Sequence, residues 1–128
     1  MAQFDTGPIY EAIGLLIAGR LNGDAGDAFM YAEAADNWQT ASIFKEIGNQ
    51  IIYRDPSHEL LDKIDDAWLA EDLDKRWQGM KFSISGGKFD VTFVFPDELD
   101  LENESSFERR DRILREKYGD KPVDYSNP

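Results

Sequence analysis

Residues 77–97 read WQGMKFSISGGKFDVTFVFPD and contain a regular alternation of apolar and polar residues on both sides of a glycine pair. Met80, Phe82 and Ile84 alternate with polar residues, Gly86-Gly87 follows, and apolar residues then recur at every second position up to residue 95. Period-two alternation places one set of side chains on one face of a sheet, and a Gly-Gly pair supplies the positive φ angles of a tight turn. The stretch therefore predicts a β-hairpin whose aromatic face is committed to the core.

Helical patterns lie on both sides of this hairpin. An apolar stripe over residues 7–21 predicts the first helix, with Asp5 or Thr6 as its cap. Asp55-Pro56 predicts the start of the second, which ends near Trp77, because aspartate is favoured at the cap and proline at the first helical position.

The last helix has the clearest boundaries. Ser105 and Glu108 have the spacing of a capping box, so the helix begins there and runs to about Tyr118. Gly119 follows as its C-cap.

Three strands are predicted between the first two helices, at about 27–34, 38–46 and 51–53. Their alanines would suit a helix equally well, but the aromatic and β-branched residues among them favour strand. Turns are predicted at Asn22-Gly23, Asp36-Asn37 and Gly48-Asn49.

These elements predict one α+β domain over residues 1–128. Its order is α-β-β-β-α-β-β-α, which suits an antiparallel sheet of about five strands with helices packed on one face. The C-terminal tail, about residues 120–128, is expected to be extended and to lie along the sheet.

The net charge of −12, from 26 acidic and 14 basic residues, is the main compositional feature. It disfavours nucleic acid and anionic membrane as partners, because both are polyanions. Two interpretations remain: the charge only keeps the protein soluble, or it attracts a basic protein partner. With no cysteine, no signal peptide and no long apolar window, we expect a cytoplasmic protein that does not insert into a membrane.

No motif in the sequence indicates catalysis or a cofactor. His58 is the only histidine and is expected on the surface, so a zinc site and a Ser-His-Asp triad both lack support. Residues 22–27, NGDAGD, lack the spacing of an EF-hand calcium loop. We therefore expect no catalytic, cofactor-binding or metal-binding residues and no enzyme activity.

Two acidic stretches are the candidate partner-binding surfaces. One lies on the outer face of the second helix and the other in the loop after the hairpin, where the alternative is a merely solvated loop. The candidate residues are Asp62, Asp65 and Asp66 on the helix, and Asp97, Glu98, Asp100, Glu102 and Glu104 in the loop. The arginine-rich last helix is expected to pair with this loop rather than to bind nucleic acid.

The second half of the chain resembles the YezG-like family of bacterial immunity proteins, which are antitoxins of polymorphic toxins. The resemblance spans about residues 77–120 and rests on the hairpin, the aspartate after it and the end of the arginine-bearing helix. The matching residues are Trp77, Phe82, Gly87-Lys88-Phe89, Phe93, Phe95, Asp97, Arg112 and Lys117-Tyr118-Gly119. It implies an α+β fold and the inhibition of a cognate toxin by binding, without catalysis. The negative charge indicates that such a toxin is basic, as a nuclease would be.

Two further functions stay open. A small hydrolase could use paired carboxylates, one of them with a raised pKa. Alternatively, the chain could be a homo-oligomeric module, such as a homodimer, that associates through an exposed strand edge or the outer face of the hairpin.

Overall fold

The computed structural model describes residues 7–21, 26–36, 38–126 and 128. The three helices are α1 (Gly7–Arg20), α2 (His58–Leu69) and α3 (Ser106–Tyr118). The strands are β1 (Ala28–Ala35), β2 (Trp38–Ile47), β3 (Gln50–Arg54), β4 (Gly79–Ser85), β5 (Lys88–Val94) and β6 (Val123–Asp124). Short 3₁₀ turns cover Leu73–Lys75 and Pro96–Glu98.

The strands form one six-stranded sheet in the order β5-β4-β1-β2-β3-β6. All neighbours are antiparallel except β3 and β6, which are parallel. The predicted α+β class, the element order and the extended tail are confirmed, and the tail adds β6 as a sixth strand. No helix in the described ranges is long and apolar enough to cross a membrane.

One face of the sheet carries α1 and α2, as predicted. Ile13 and Ile17 of α1 and Leu60 and Ile64 of α2 are fully buried against the even-numbered residues of β1, such as Met30. Because alternate residues of a strand point to opposite faces, the odd-numbered residues of β1 face away from these two helices.

The opposite face of the sheet is covered by α3. Ile113 and Leu114 of this helix pack with Phe29, Tyr31 and Phe44 in a second, smaller apolar cluster. Both faces of β1 are therefore buried, which suits its position near the middle of the sheet. This arrangement places the first turn of α3 beside the end of β1.

The predicted hairpin and its two-glycine turn are confirmed, and its register places Phe82 opposite Val91 and Ser85 opposite Lys88. Phe82 is buried, but Phe89 is 44% exposed. The prediction that the whole aromatic face lies in the core is therefore wrong at Phe89 and Phe95, because β5 forms the edge of the sheet, whereas Val91 and Phe93 pack against the core.

The second helix differs from the prediction at both ends. Its N-cap is Ser57, whose side chain accepts a hydrogen bond from Leu60 N, whereas Asp55 accepts one from the Tyr53 hydroxyl. The helix ends at Leu69 rather than near Trp77, whose carbonyl accepts a hydrogen bond from the indole of Trp68. The helix ends before Trp77 because the chain must become extended there to enter β4.

The other local predictions have mixed outcomes. The three strands after α1, the Gly48-Asn49 turn and the exposed position of His58 are confirmed. So are the capping box of Ser105 and Glu108 and the Gly119 C-cap of the last helix. The predicted caps Asp5 and Thr6, the Asn22-Gly23 turn and Asn37 lie outside the described residues.

Candidate functional site

The candidate site centres on the acidic loop, residues 96–104, which is held in a defined shape by its own hydrogen bonds. The Glu98 carboxylate accepts a bond of 2.7 Å from the backbone N–H of Phe95. Further along, the Asp100 carboxylate accepts from the backbone N–H of Asn103 at 3.1 Å, and the Asp100 carbonyl accepts from Glu104 N at 3.0 Å. These bonds fix the backbone conformation of the loop and therefore the positions of its carboxylates.

The loop is tied to α3 through Glu104. Its carboxylate accepts hydrogen bonds of 3.0 Å from both Nε and Nη2 of Arg112, a bidentate pair. This hydrogen bonding lowers the pKa of Glu104 and raises the pKa of Arg112. The predicted pairing of the acidic loop with the arginine-rich helix is confirmed at this position.

A second arginine of α3 connects the loop to the centre of the sheet. Arg109 donates through Nη1 to the Glu104 carbonyl, and through Nε and Nη2 to the two carboxylate oxygens of Glu33 at 2.6 Å each. Tyr31 donates its hydroxyl to the same carboxylate at 2.5 Å. We call these three residues, Tyr31, Glu33 and Arg109, the buried anchor.

The charged groups of the buried anchor are removed from water. Glu33 is 0% exposed and Arg109 is 4% exposed, so each charge depends on the other for the stabilisation that water would otherwise give. Hydrogen bonding to Glu33 raises the pKa of Arg109, while burial and the bond to Glu33 raise the pKa of Tyr31. The anchor thus fixes the start of α3, and with it the end of the acidic loop.

Gly79 leaves the space that the anchor needs. A Cβ atom at this position would lie 2.8 Å from the Tyr31 hydroxyl oxygen, too close for a normal contact. Gly79 pairs with Glu33 across β4 and β1, so the glycine sits directly beside the anchor.

Sequence reasoning did not identify Glu33 as a site residue. The available signal was its position, since it is the one charged residue in the otherwise apolar segment 28–35. A carboxylate is almost never fully buried without a partner, so that pattern points to a buried ion pair. The partner is 76 residues away in sequence, and no local spacing rule identifies it.

The loop carboxylates differ in how accessible they are. Asp97, Glu98, Asp100 and Glu102 are exposed, whereas Glu104 is half-buried against Arg112. Among the residues that the structure describes, Asp97 and Glu102 form no ion pair, so their charges remain uncompensated.

The acidic side chains of α2 form a separate group. Asp62 and Asp66 are exposed, and Asp66 lies 3.7 Å from Lys63. Asp65 is half-buried and accepts a hydrogen bond of 3.0 Å from Gln39. This group lies on the helix layer beside α1, whereas the acidic loop leads from β5 to α3 on the other face. No hydrogen bond or ion pair between described residues links this group to the acidic loop.

A further arginine, Arg110, occupies an aromatic environment next to the start of α3. Its guanidinium carbon lies 4.1 Å from the ring centre of Phe107, 5.6 Å from that of Tyr125 and 5.8 Å from that of Tyr53. Arg110 is almost fully buried and also donates to Asp111 at 3.1 Å. Two arginines of α3 are therefore turned inward and do not contribute to a basic surface.

Two carboxylates, those of Asp27 and Glu46, line one cavity of about 340 Å³ together with Lys117 and Tyr118. Both are exposed, and Glu46 forms an ion pair with Lys121. Burial, followed by these two carboxylates, raises the pKa of Tyr118 to about 12. Within the described ranges, no group of three or more histidine, aspartate or glutamate side chains is arranged to hold a metal ion.

No family model matches the chain, and a search of curated proteins returned no match.

Proposed function

We propose that this protein is a non-catalytic binding module that neutralises a basic protein, in the manner of an immunity protein acting on its cognate toxin. The observation that carries the proposal is the acidic loop, whose exposed carboxylates stand on a backbone held by hydrogen bonds and by the buried anchor. The resemblance of residues 77–120 to the YezG-like family supports the same role.

Charge supports a basic partner. The chain carries a net charge of −12, and Asp97 and Glu102 in the acidic loop are exposed and form no ion pair with a described residue. Opposite charge on a partner speeds the encounter of two proteins and excludes partners of like charge. A cationic groove, such as one that binds nucleic acid in a nuclease, has the complementary chemistry.

Pre-organisation supports binding by this loop in particular. A loop that is ordered before it meets a partner loses less conformational entropy on binding than a mobile one. The contacts of Glu98, Asp100 and Glu104 supply that order within the loop, and Arg109 supplies it from the core.

The α2 carboxylates would contribute mainly through long-range attraction. Asp65 is already engaged by Gln39, and Asp66 lies close to Lys63, so this group carries less free charge than the acidic loop. We therefore place direct contact at Asp97 and Glu102 and only electrostatic steering at Asp62.

The test uses the product of the gene adjacent to the one that encodes this chain. Expressed alone, that product should impair cell growth, and co-expression of this protein should restore growth. The two proteins should also co-purify as a complex at low ionic strength. An adjacent product that neither affects growth nor binds would contradict the proposal.

A matched pair of variants tests the role of the loop. Asp97→Lys combined with Glu102→Lys should weaken protection. Asp27→Lys combined with Asp120→Lys makes the same change in net charge with exposed residues at the opposite end of β1 and α3, and should protect nearly as well as the wild type. Equal loss in both variants would assign the effect to net charge alone.

A further inference from the structure

The outer edge of β5 is open. β5 is the last strand on its side of the sheet, and it contains neither a proline nor an interruption in its pairing with β4. Natural sheets usually protect such an edge with a bulge, a proline, charged side chains or a covering segment, and of the first three β5 carries only the charges of Lys88 and Asp90. Lys88, Phe89, Asp90 and Thr92 are all exposed, so none of the described residues covers this half of the strand.

Hairpin geometry shows which backbone groups are available. Residues that flank a two-residue turn form a hydrogen-bonded pair, here Ser85 and Lys88, and the pattern then alternates along the strand. The N–H and C=O groups of Phe89, Val91 and Phe93 are therefore directed away from β4, toward the free edge.

We infer that two copies of this chain pair through β5, antiparallel about a two-fold axis at Val91, to form a continuous sheet of twelve strands, six from each copy. This pairing uses the free backbone groups of residues 89, 91 and 93. It does not depend on the proposed function.

The apolar face of β5 is complementary to itself in this register. The two-fold axis places Phe89 of one copy opposite Phe93 of the other, and Val91 opposite Val91. Phe89 is 44% exposed and stacks on Phe82 of its own chain with the ring centres 5.1 Å apart. Pairing would extend this aromatic row into the second copy, and aromatic pairs across neighbouring strands stabilise a sheet.

The polar face provides charge complementarity. Lys81 lies opposite Thr92 on the neighbouring strand, and the two-fold axis places Asp90 of the second copy opposite the same Thr92. Lys81 and that Asp90 are then two strand spacings apart, about 10 Å between backbones, within the combined reach of their side chains. Neither residue forms an ion pair with any residue that the structure describes. The dimer would contain this pair twice.

Sedimentation velocity of the full chain tests the pairing. At about 0.15 M salt, where the Debye length is about 8 Å, repulsion between the two acidic copies is largely screened. A concentration series up to about 100 μM should show a monomer that converts to a dimer, which requires a Kd in the micromolar range or below. A protein that stays monomeric throughout would overturn the inference.

Variants at the edge test the location. Val91→Pro removes an N–H that is directed away from β4, so it should abolish the dimer while circular dichroism stays native. Phe89→Lys, at an exposed position, provides a second test if the proline variant does not fold. A dimer that persists in both folded variants would overturn the assignment to β5.

Charge exchange tests the register. Lys81→Asp and Asp90→Lys should each raise the dimer Kd, because each places like charges across the interface. The double variant restores the pairing in reverse and should return the Kd to within about threefold of the wild-type value. If the double variant is as weak as the single variants, the register centred on Val91 is wrong.

Discussion

At the level of single residues, the buried anchor is sensitive to the loss of either charged partner. A carboxylate and a guanidinium are both removed from water, and each is satisfied chiefly by the other. Tyr31 supplies a further hydrogen bond to Glu33, and Gly79 leaves room for its ring. A buried pair of this kind contributes little net stability compared with apolar residues of similar size, but breaking it from one side is costly.

A double-mutant cycle measures this coupling. Made in the Tyr31→Phe background, Glu33→Leu and Arg109→Leu should each lower the free energy of unfolding by about 3–5 kcal/mol, because each leaves an unpaired buried charge. The double variant removes both charges and should lose far less than the sum of the two single losses. Urea unfolding followed by tryptophan fluorescence gives these values, and additive losses would show that the two side chains are not coupled.

Gly79 allows a second test beside the anchor. Gly79→Ala should destabilise the protein by about 1–3 kcal/mol, because its Cβ would meet the Tyr31 hydroxyl at 2.8 Å. In the Tyr31→Phe background that closest atom is absent, so the same substitution should cost less. Urea midpoints of the four proteins provide the comparison, and an equal cost in both backgrounds would place the strain elsewhere.

At the scale of elements, the tie between the acidic loop and α3 controls the shape of the candidate site. Glu104 and Arg112 join the two segments across eight residues, while the capping box of Ser105 and Glu108 starts the helix between them. The loop and the helix therefore form one local unit, and disturbing the tie should loosen both.

The pH dependence of Glu104→Gln tests this tie. The pKa of Glu104 is lowered in the folded protein, so its contribution to stability is present above its ordinary pKa of about 4.3 and is lost as the pH falls through the lower folded value. The variant should be less stable than the wild type near neutral pH, and the difference should shrink as the pH falls below about 4. Urea unfolding at a series of pH values measures it, and a difference independent of pH would contradict the tie.

Local patterns predicted most of these elements. Alternation in residues 80–95 around Gly86-Gly87 predicted the hairpin and its turn, and Ser105 with Glu108 predicted the start of α3. The same patterns do not say which strand lies at the edge or which face a helix covers, because those depend on pairings between distant segments. The exposure of Phe89 and the position of α3 opposite α1 and α2 were therefore not predictable in this way.

In the candidate site, too, contacts between residues close in sequence were predictable and contacts between distant segments were not. Pairing between the acidic loop and the arginines was predictable because Glu104 and Arg112 are close in sequence. Contact between Glu33 and Arg109 was not, since it requires knowing that α3 packs over β1. The N-cap of α2 was predicted at Asp55 but lies at Ser57, because serine two residues later is equally suited to that position.

At the level of the whole molecule, tyrosines on both faces of the sheet have raised pKa values. Burial raises the pKa of Tyr10 and of Tyr118 to about 12, and it also raises that of Tyr31 and Tyr53. The folded protein keeps these groups protonated, whereas the unfolded chain ionises them near pH 10. Their contribution to stability is therefore present below pH 10 and is lost as the pH rises from about 10 to about 12.

Two measurements check this expectation. The free energy of unfolding should decrease steadily between about pH 10 and about pH 12. The tyrosinate absorbance of the folded protein should rise mostly after that of the urea-unfolded chain. Coincident titration curves would show that these rings are accessible in the folded state.

The rate of association with the adjacent gene product measures whether the acidic loop receives a basic partner. Stopped-flow mixing at about 0.01 M and about 1 M salt compares Debye lengths of about 30 Å and about 3 Å. Asp97→Lys with Glu102→Lys should slow association about tenfold at low salt and little at high salt, and more than Asp27→Lys with Asp120→Lys does. An association rate that is the same for both double variants at low salt would contradict the claim.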